Sequence, residues 1–198
     1  MIPPSLPGGV TRPGYQFDTL QAKKLLREAG YPNGIDVDLW TSTNPIYVRI
    51  AETLQGYFQL SGIRANIIQR ESAAAREAAR KGKADLFVKD WYADYPDAEN
   101  FLYPLLHSAN KGVGGNVSYF QNAQFDSLVT AARREQDETR RVALYTKADE
   151  LAFQQAPMVF LYFYNELNAV QPWIKGFVPP VIFNGQPWTT VTKSATGK

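Results

Sequence analysis

The feature that most constrains the fold is an alternation of helix and strand patterns over the first ninety residues. The predicted elements are, in chain order, a helix at 19–29, a strand at 35–41, a helix opened by Pro45 and ended by Gly62, a strand at 63–69, a helix at 73–80 and a strand at 85–89. Strands that alternate with helices predict a mainly parallel sheet covered by helices. In such sheets ligands bind beyond the carboxyl ends of the strands, so the residues directly after the third strand are the first place to look for a site.

The second half of the chain predicts further helices and strands. A short helix at Asn100–Leu106 is followed by a polar, glycine-rich loop, a helix at Phe125–Glu135 and a longer helix that Asp137 caps and Pro157 stops. The run Met158–Tyr164 is almost entirely apolar or aromatic, which favours a buried strand. Its predicted partner strand is Leu167–Val170.

Composition excludes several kinds of function. The chain has 21 basic and 19 acidic residues, so its charge favours neither nucleic acid nor an acidic membrane surface. It has no cysteine, which excludes disulfides and thiolate chemistry, and its one histidine, His107, argues against a transition-metal site or a histidine-based triad. We therefore expect no cofactor and no catalytic or metal-binding residue. No apolar run approaches the roughly 20 residues that span a bilayer.

Three acids, Asp94, Asp97 and Glu99, lie close together after the third strand. One interpretation is a general acid and base of a hydrolase, and another is a site for a hard cation with oxygen ligands. A third is that acids offset the dipole at the start of the following helix. For Asp97 and Glu99 we favour the helix-start interpretation.

Asp94 has different neighbours, because Trp91 and Tyr95 flank it. A carboxylate among aromatic rings can receive a cationic group, since the rings exclude water and add a cation–π attraction of roughly 0.5–2 kcal/mol. The alternative is that both rings are simply part of the core. The segment Trp91–Phe101 therefore predicts one wall of a ligand-binding cleft.

Four segments resemble a known family. They read F-D-T-L-Q-A-K-K-L-L-R-E-A-G-Y-P-N-G at 17–34, W-Y-A-D-Y-P-D-A-E-N-F-L-Y-P-L at 91–105 and G-N-V-S-Y-F-Q-N-A-Q-F-D-S-L at 115–128, with a spaced Arg, Leu-Tyr and Pro between 140 and 157. Together they resemble the C-terminal lobe of the extracytoplasmic peptide- and nickel-binding proteins of ABC importers, family 5. The resemblance implies an α/β lobe of the periplasmic-binding-protein kind, with a mixed, mainly parallel sheet covered by helices and additional helices and strands toward the C-terminus.

The resemblance also implies a function. Such proteins are not enzymes; they close two lobes on a solute outside the cytoplasm and deliver it to a membrane permease. In peptide-binding members the aspartate of the W-x-A-D motif receives the α-ammonium group, a role that falls here on Asp94. Trp91 and Tyr95 would line the pocket. The remaining candidates are Lys89, as a charge for a ligand carboxylate, and Asn116 and Tyr119, near the cleft.

The chain departs from the family pattern in ways that leave the ligand open. Ala98 stands where proline is usual, and Lys89 and Asp90 precede Trp91 where glycine is common. Members of the family also bind nickel chelates, oligosaccharides or opines, so these stay alternatives to peptides. A carboxylate-dependent hydrolase is a further alternative.

The resemblance implies a division of the chain. Residues 1–16 would be an extended segment leading into the lobe, 17–172 the C-terminal lobe, and 173–198 a tail returning toward an N-terminal lobe that this chain does not contain. The expected partners are a peptide or another small solute, the absent lobe and the permease, with no nucleic acid. Self-association through the exposed cleft face is a further expectation.

Overall fold

The computed structural model describes residues 1–180 and 187–194. The chain forms two compact units. The sheet unit comprises Thr11–Asp90 and Pro104–Asn122, and the motif unit comprises Met1–Val10, Trp91–Tyr103 and Ala123–Lys198. The boundaries of these units differ from the predicted division after residues 16 and 172. That division concerns the lobes of a longer protein and stays a prediction.

The sheet unit has the alternating architecture that the sequence predicts. Its elements are α1 (Thr19–Glu28), β1 (Ile35–Ser42), α2 (Pro45–Ser61), β2 (Ile63–Arg70), α3 (Ser72–Arg80) and β3 (Leu86–Phe87). The strands lie in the order β2-β1-β3, and both pairings are parallel. In register, Ile35 lies opposite Ile63, and Trp40 lies opposite both Ile68 and Phe87. The predicted α/β class with a parallel sheet is confirmed.

The ends of these elements follow from local chemistry. The Asp18 side chain accepts a hydrogen bond from the Gln21 N–H at 2.9 Å, which satisfies a backbone donor in the first turn of α1. Asn44 does the same for the Ile46 N–H at 2.9 Å, with Pro45 in the first turn of α2. Gly62 ends α2 at a φ of 90°, a left-handed conformation that glycine adopts without a steric cost.

The core of the sheet unit lies between β1 and α2. Its buried centre is Leu39, Ala51, Ala65 and Val88. Larger apolar side chains surround this centre: Val37, Tyr47, Ile50, Leu54, Phe58, Ile67 and Leu86. Because successive strand residues point to opposite faces, Val37 and Leu39 share one face of β1. The packing of α2 covers this face of β1.

The motif unit is mainly helical. It contains the start of α4 (Glu99–Leu106), α5 (Ala123–Arg134), α6 (Glu138–Gln155) and the short antiparallel pair β4 (Ile174–Lys175) and β5 (Thr192–Lys193). The helices α5 and α6 contact each other and supply the buried side chains Phe125, Val129, Ala132, Tyr145, Ala148 and Ala152. As predicted, Asp137 caps α6, accepting from the Arg140 N–H at 2.8 Å. The opening residues pack on α6, where Asp149 accepts from the Ile2 N–H at 3.1 Å.

Two predicted strands are wrong. Residues 158–164 were expected as a buried strand with 167–170 as its partner, but neither range is a strand, and residues 159–164 are all exposed. Leu167 is 94% exposed. The apolar pattern indicates a segment that gains from burial, but a strand also needs a neighbour to pair with its backbone. Within 1–180 and 187–194, no strand pairs with this segment.

None of the helices within the described ranges combines the length and the hydropathy needed to cross a membrane.

Candidate functional site

The motif segment, defined here as Trp91–Asn100, is folded around the side chain of its last residue. Asn100 is 4% exposed. Its Oδ1 accepts a hydrogen bond from the Trp91 indole Nε1–H at 3.3 Å and another from the Asp94 backbone N–H at 3.0 Å. The buried side-chain oxygen of Asn100 thus holds both the Trp91 ring and the Asp94 backbone.

Tyr95 lies on the same segment with an exposed ring. Its hydroxyl donates a hydrogen bond to Glu99 Oε2. Burial of the hydroxyl and this bond to Glu99 raise the pKa of Tyr95, while a hydrogen bond with the Asn100 side chain opposes the shift. Tyr95 therefore stays protonated at neutral pH and keeps its ring fixed above the start of α4.

Asp97 is bonded within the protein through one of its carboxylate oxygens. Its Oδ1 accepts hydrogen bonds from the Glu99 backbone N–H at 2.8 Å and from Arg141 Nη2 at 2.8 Å. Partial burial by itself raises the pKa of Asp97, but the bonds from Arg141 and Glu99 and the charge of Arg141 outweigh it, so the net pKa lies below 3.8. Asp97 thus holds the beginning of α4 against α6.

Glu99 is engaged in the same way. It lies in the first turn of α4, and its Oε1 is 3.0 Å from Arg133 Nε. The Arg133 guanidinium also stacks on the Tyr103 ring at 3.7 Å from the ring centre. The helix-start interpretation of Asp97 and Glu99 is confirmed.

Asp94 differs from both acids. Its residue is exposed, and its carboxylate has no hydrogen bond or ion pair with any residue in the described part of the chain. Only its backbone is held, by Asn100. The motif segment therefore presents one unpaired carboxylate, on a residue whose backbone is held by the same Asn100 oxygen as Trp91.

Lys89 belongs to the sheet unit and follows β3. Its Nζ donates to the Gly115 carbonyl oxygen at 3.1 Å. Burial of the ammonium and the positive charge of Arg80 lower the pKa of Lys89 to about 8, against the raising effect of Asp90. The residue as a whole is exposed, so the shift reflects the protein that surrounds the end of the side chain.

Asn116 organises the loop that receives Lys89. It is fully buried, and its Nδ2 donates to the carbonyl oxygens of Leu106 at 3.0 Å, His107 at 3.3 Å and Phe120 at 2.9 Å. Its Oδ1 accepts from Ser118 Oγ at 3.0 Å and from the Phe120 N–H at 3.2 Å. All of its polar atoms contact protein, so the geometry favours an indirect part in any binding.

Tyr119 lies on the same loop with a partly exposed ring and a φ of 56°, which is unusual for a residue with a β-carbon. Its hydroxyl donates to the Arg80 carbonyl oxygen at 2.7 Å. A β-carbon at Gly82 would lie 3.2 Å from the tyrosine ring, and one at Gly112 would lie 3.2 Å from its hydroxyl. The ring therefore fits over two glycines.

The structure brings the six predicted site residues into two groups. Trp91, Asp94 and Tyr95 gather around Asn100 in the motif unit, while the other three lie around the loop 111–120 of the sheet unit. Their roles in ligand binding stay predictions. Two residues of this arrangement were not predicted from the sequence: Asn100, although the resembling segment 91–105 contains it, and Arg141.

Neither group offers an obvious metal centre. Across residues 1–180 and 187–194, no cluster of three or more His, Asp or Glu side chains is placed to hold a metal ion.

Comparisons with known proteins agree with this arrangement. Residues 1–113 match the family described as bacterial extracellular solute-binding proteins, family 5 middle. Heme-binding protein A of Haemophilus influenzae is 34% identical over 169 residues, which cover 83% of this chain and 31% of that protein. The dipeptide-binding protein of Escherichia coli K12 is 30% identical over 184 residues, which cover 90% of this chain and 34% of that protein.

A solved structure shares the fold. It is the ABC transporter-associated periplasmic binding protein DppA of Helicobacter pylori in complex with the peptide STSA. The similarity has a TM-score of 0.72 and 32% identity, and it covers 78% of this chain and 31% of that one. This chain spans about a third of the length of the curated relatives that it matches. From the family match and its α/β fold, we conclude that the chain belongs to family 5 of the bacterial extracellular solute-binding proteins.

Proposed function

We propose that the chain forms one wall of the ligand-binding cleft of a solute receptor. This receptor binds peptides outside the cytoplasm and delivers them to an ABC importer. The observation that carries the proposal is the exposed, unpaired carboxylate of Asp94, in a segment whose other two acids are each held by an arginine. An unpaired acid with two aromatic residues close by in the sequence suits the α-ammonium group of a peptide. Two relatives support the ligand class by name, one as dipeptide-binding and one in complex with a peptide.

The same geometry argues against the hydrolase alternative. A general acid and base need two carboxyl groups that are free to exchange protons with a substrate. Asp97 is bonded to Arg141 and to the backbone of α4, and Glu99 pairs with Arg133, so neither complements Asp94.

A titration followed by NMR tests the proposal on the chain itself. A tripeptide with a free amino terminus is added to the ¹⁵N-labelled protein, and the Asp94 N–H and Trp91 indole resonances are followed. We expect both to shift, with weak affinity because the chain spans about a third of its relatives. The N-acetylated tripeptide is the matched control, since it lacks the α-ammonium group.

A chimera tests the affinity expected of the whole receptor. This chain replaces the matching third of the E. coli dipeptide-binding protein, and binding is measured by calorimetry. Replacing Asp94 by Ala is expected to cost about 2–5 kcal/mol, because it leaves the ligand's ammonium without a partner.

Three outcomes would change the proposal. Equal affinities for the free and acetylated peptides would remove the ammonium role from Asp94. Binding of a nickel chelate, an oligosaccharide or an opine in place of peptides would replace the ligand class. Turnover of a glycoside or peptide by the chain would favour the hydrolase.

A further inference from the structure

We infer that Asn100 is the positioning residue of the site: its buried side chain sets the conformation of Trp91 and Asp94 in the free protein and so determines the affinity for a cationic group. The inference rests on the proposed function for its second half only. Its first half concerns the free protein and is testable without any ligand.

The geometry places Asn100 behind the residues that face solvent. It is 4% exposed, whereas Asp94 and Tyr95 are exposed. A ligand that contacts Asp94 therefore meets Asn100 only through other residues, which makes Asn100 a positioning residue rather than a contact residue.

A single atom carries the coupling. Asn100 Oδ1 accepts from the Trp91 Nε1–H at 3.3 Å and from the Asp94 N–H at 3.0 Å. The first bond fixes the edge of the indole ring, and the second fixes the backbone from which the Asp94 carboxylate projects. The ring and the Asp94 backbone share one anchor, so their separation is fixed and the positions open to the carboxylate are restricted, which pre-organises the pair for a cation.

Asn100 is itself held in place. It lies in the first turn of α4, and its N–H donates to the Asp97 carbonyl oxygen at 3.1 Å. Asp97 in turn is bonded to Arg141 on α6. The anchor is therefore built on a helix start that α6 supports, and it does not depend on the exposed part of the segment.

The chemistry of the bonds selects informative variants. An aspartate at this position keeps an acceptor oxygen of the same reach, so Asn100→Asp is expected to retain both bonds and to lose only the side-chain bond to Tyr95. Asn100→Ala removes the acceptor and leaves the Asp94 N–H and the Trp91 Nε1–H without it. Asn165, which lies in the exposed segment after Tyr164, supplies the matched control Asn165→Ala.

Hydrogen exchange in the free protein is the first measurement. In Asn100→Ala we expect the Asp94 N–H and the Trp91 Nε1–H to exchange about tenfold faster than in the unmodified protein, consistent with the loss of one hydrogen bond of typical strength. Asn100→Asp is expected to retain the slow exchange, and Asn165→Ala to change nothing. Trp91→Phe assigns the indole signal and, if Asn100→Ala fails to fold, tests the same bond from the other side.

Peptide affinity is the second measurement, made by titration of the same variants with the free tripeptide. We expect Asn100→Ala to weaken binding about tenfold and Asn100→Asp to restore it. The positioning role would be overturned if hydrogen exchange were unchanged in Asn100→Ala. It would also be overturned if Trp91→Phe changed neither the exchange of the Asp94 N–H nor the stability of the protein. Faster exchange with unchanged affinity would overturn its link to binding.

The two hypotheses fail separately. If the unmodified protein binds no peptide, the proposed function fails, while the exchange rates still decide whether Asn100 positions Trp91 and Asp94. If peptides bind and exchange is unaffected, the inference fails while the proposed function stands.

Discussion

Among the described residues, each unit contains one buried asparagine that organises a loop, and the two asparagines bond to different kinds of partner. Asn116 in the sheet unit bonds to three carbonyl oxygens, one backbone N–H and one serine hydroxyl. Asn100 in the motif unit bonds to an indole and to the backbone of an exposed acid. The first asparagine closes a loop on itself, whereas the second connects the buried helix start to side chains that face solvent.

The difference shows how burial alone fails to identify a functional residue. Both side chains are almost completely buried, and both satisfy the rule that buried polar groups are hydrogen-bonded. What separates them is the identity of their partners: Asn116 bonds mainly to backbone groups around its own loop, whereas Asn100 bonds to two of the predicted site residues. We therefore expect changes at Asn116 to act mainly on stability and changes at Asn100 to act mainly on the site.

The largest effect is expected for Asn116→Ala. It removes five side-chain hydrogen bonds and leaves one buried and two partly buried carbonyl groups without this donor, so the free energy of unfolding should fall by roughly 3–4 kcal/mol. Urea unfolding followed by circular dichroism measures it. A loss no larger than that of Asn100→Ala would end the distinction between the two asparagines.

A smaller effect is expected for Asp97→Asn, which weakens the support beneath Asn100. The folded pKa of Asp97 lies below 3.8, so its carboxylate stabilises the folded state above that pH, and this contribution is lost as the pH falls through the folded value. Near pH 7 the variant should be about 1 kcal/mol less stable, a modest value because the pair is partly exposed. Unfolding curves between pH 2.5 and 7 should show the difference closing below about pH 4, and a constant difference would contradict the assignment.

The smallest effect at neutral pH is expected for Lys89→Gln, beside the Asn116 loop. The folded pKa of about 8 lies below the ordinary 10.5, so between these values the unfolded chain binds more protons than the folded protein. The stability of the unmodified protein should therefore rise relative to the variant from about pH 8 to 10.5. Near pH 7 the variant loses the bond to Gly115 but no longer buries a charge, and because these changes oppose each other the two stabilities should agree within about 0.5 kcal/mol. If the stabilities of the two proteins changed in parallel from about pH 8 to 10.5, the Lys89 ammonium would be well solvated and the prediction would be wrong.

Much of the sheet unit could be predicted because its signals are local. Caps such as Asp18 and Asn44 and the left-handed Gly62 act within a few residues of themselves. The strand at 85–89 was predicted longer than β3, since only Leu86 and Phe87 pair with β1 as a regular ladder. The range 158–164 could not be judged from its own residues, because burial of an apolar run depends on a neighbour elsewhere.

The residue types of the candidate site could be predicted from the sequence, but the contacts that hold them could not. Trp91, Asp94 and Tyr95 stand together in the sequence, and a carboxylate between aromatic rings is a recognisable pattern. The role of Asn100 depends on the chain turning back between Asp94 and Asp97, which composition does not reveal. Arg141 lies 44 residues from Asp97, so only the fold brings the two together.

The exposed run 159–164 also determines where the protein is most susceptible to proteolysis. It joins Phe160, Leu161, Tyr162, Phe163 and Tyr164, which are all side chains after which chymotrypsin-like proteases cut, on backbone that belongs to no helix or strand. Proteases cleave exposed, unstructured segments far faster than helices. The first cleavage should therefore occur after α6. Its larger product should end near residue 160 and retain the motif segment, Asn100 and Arg141.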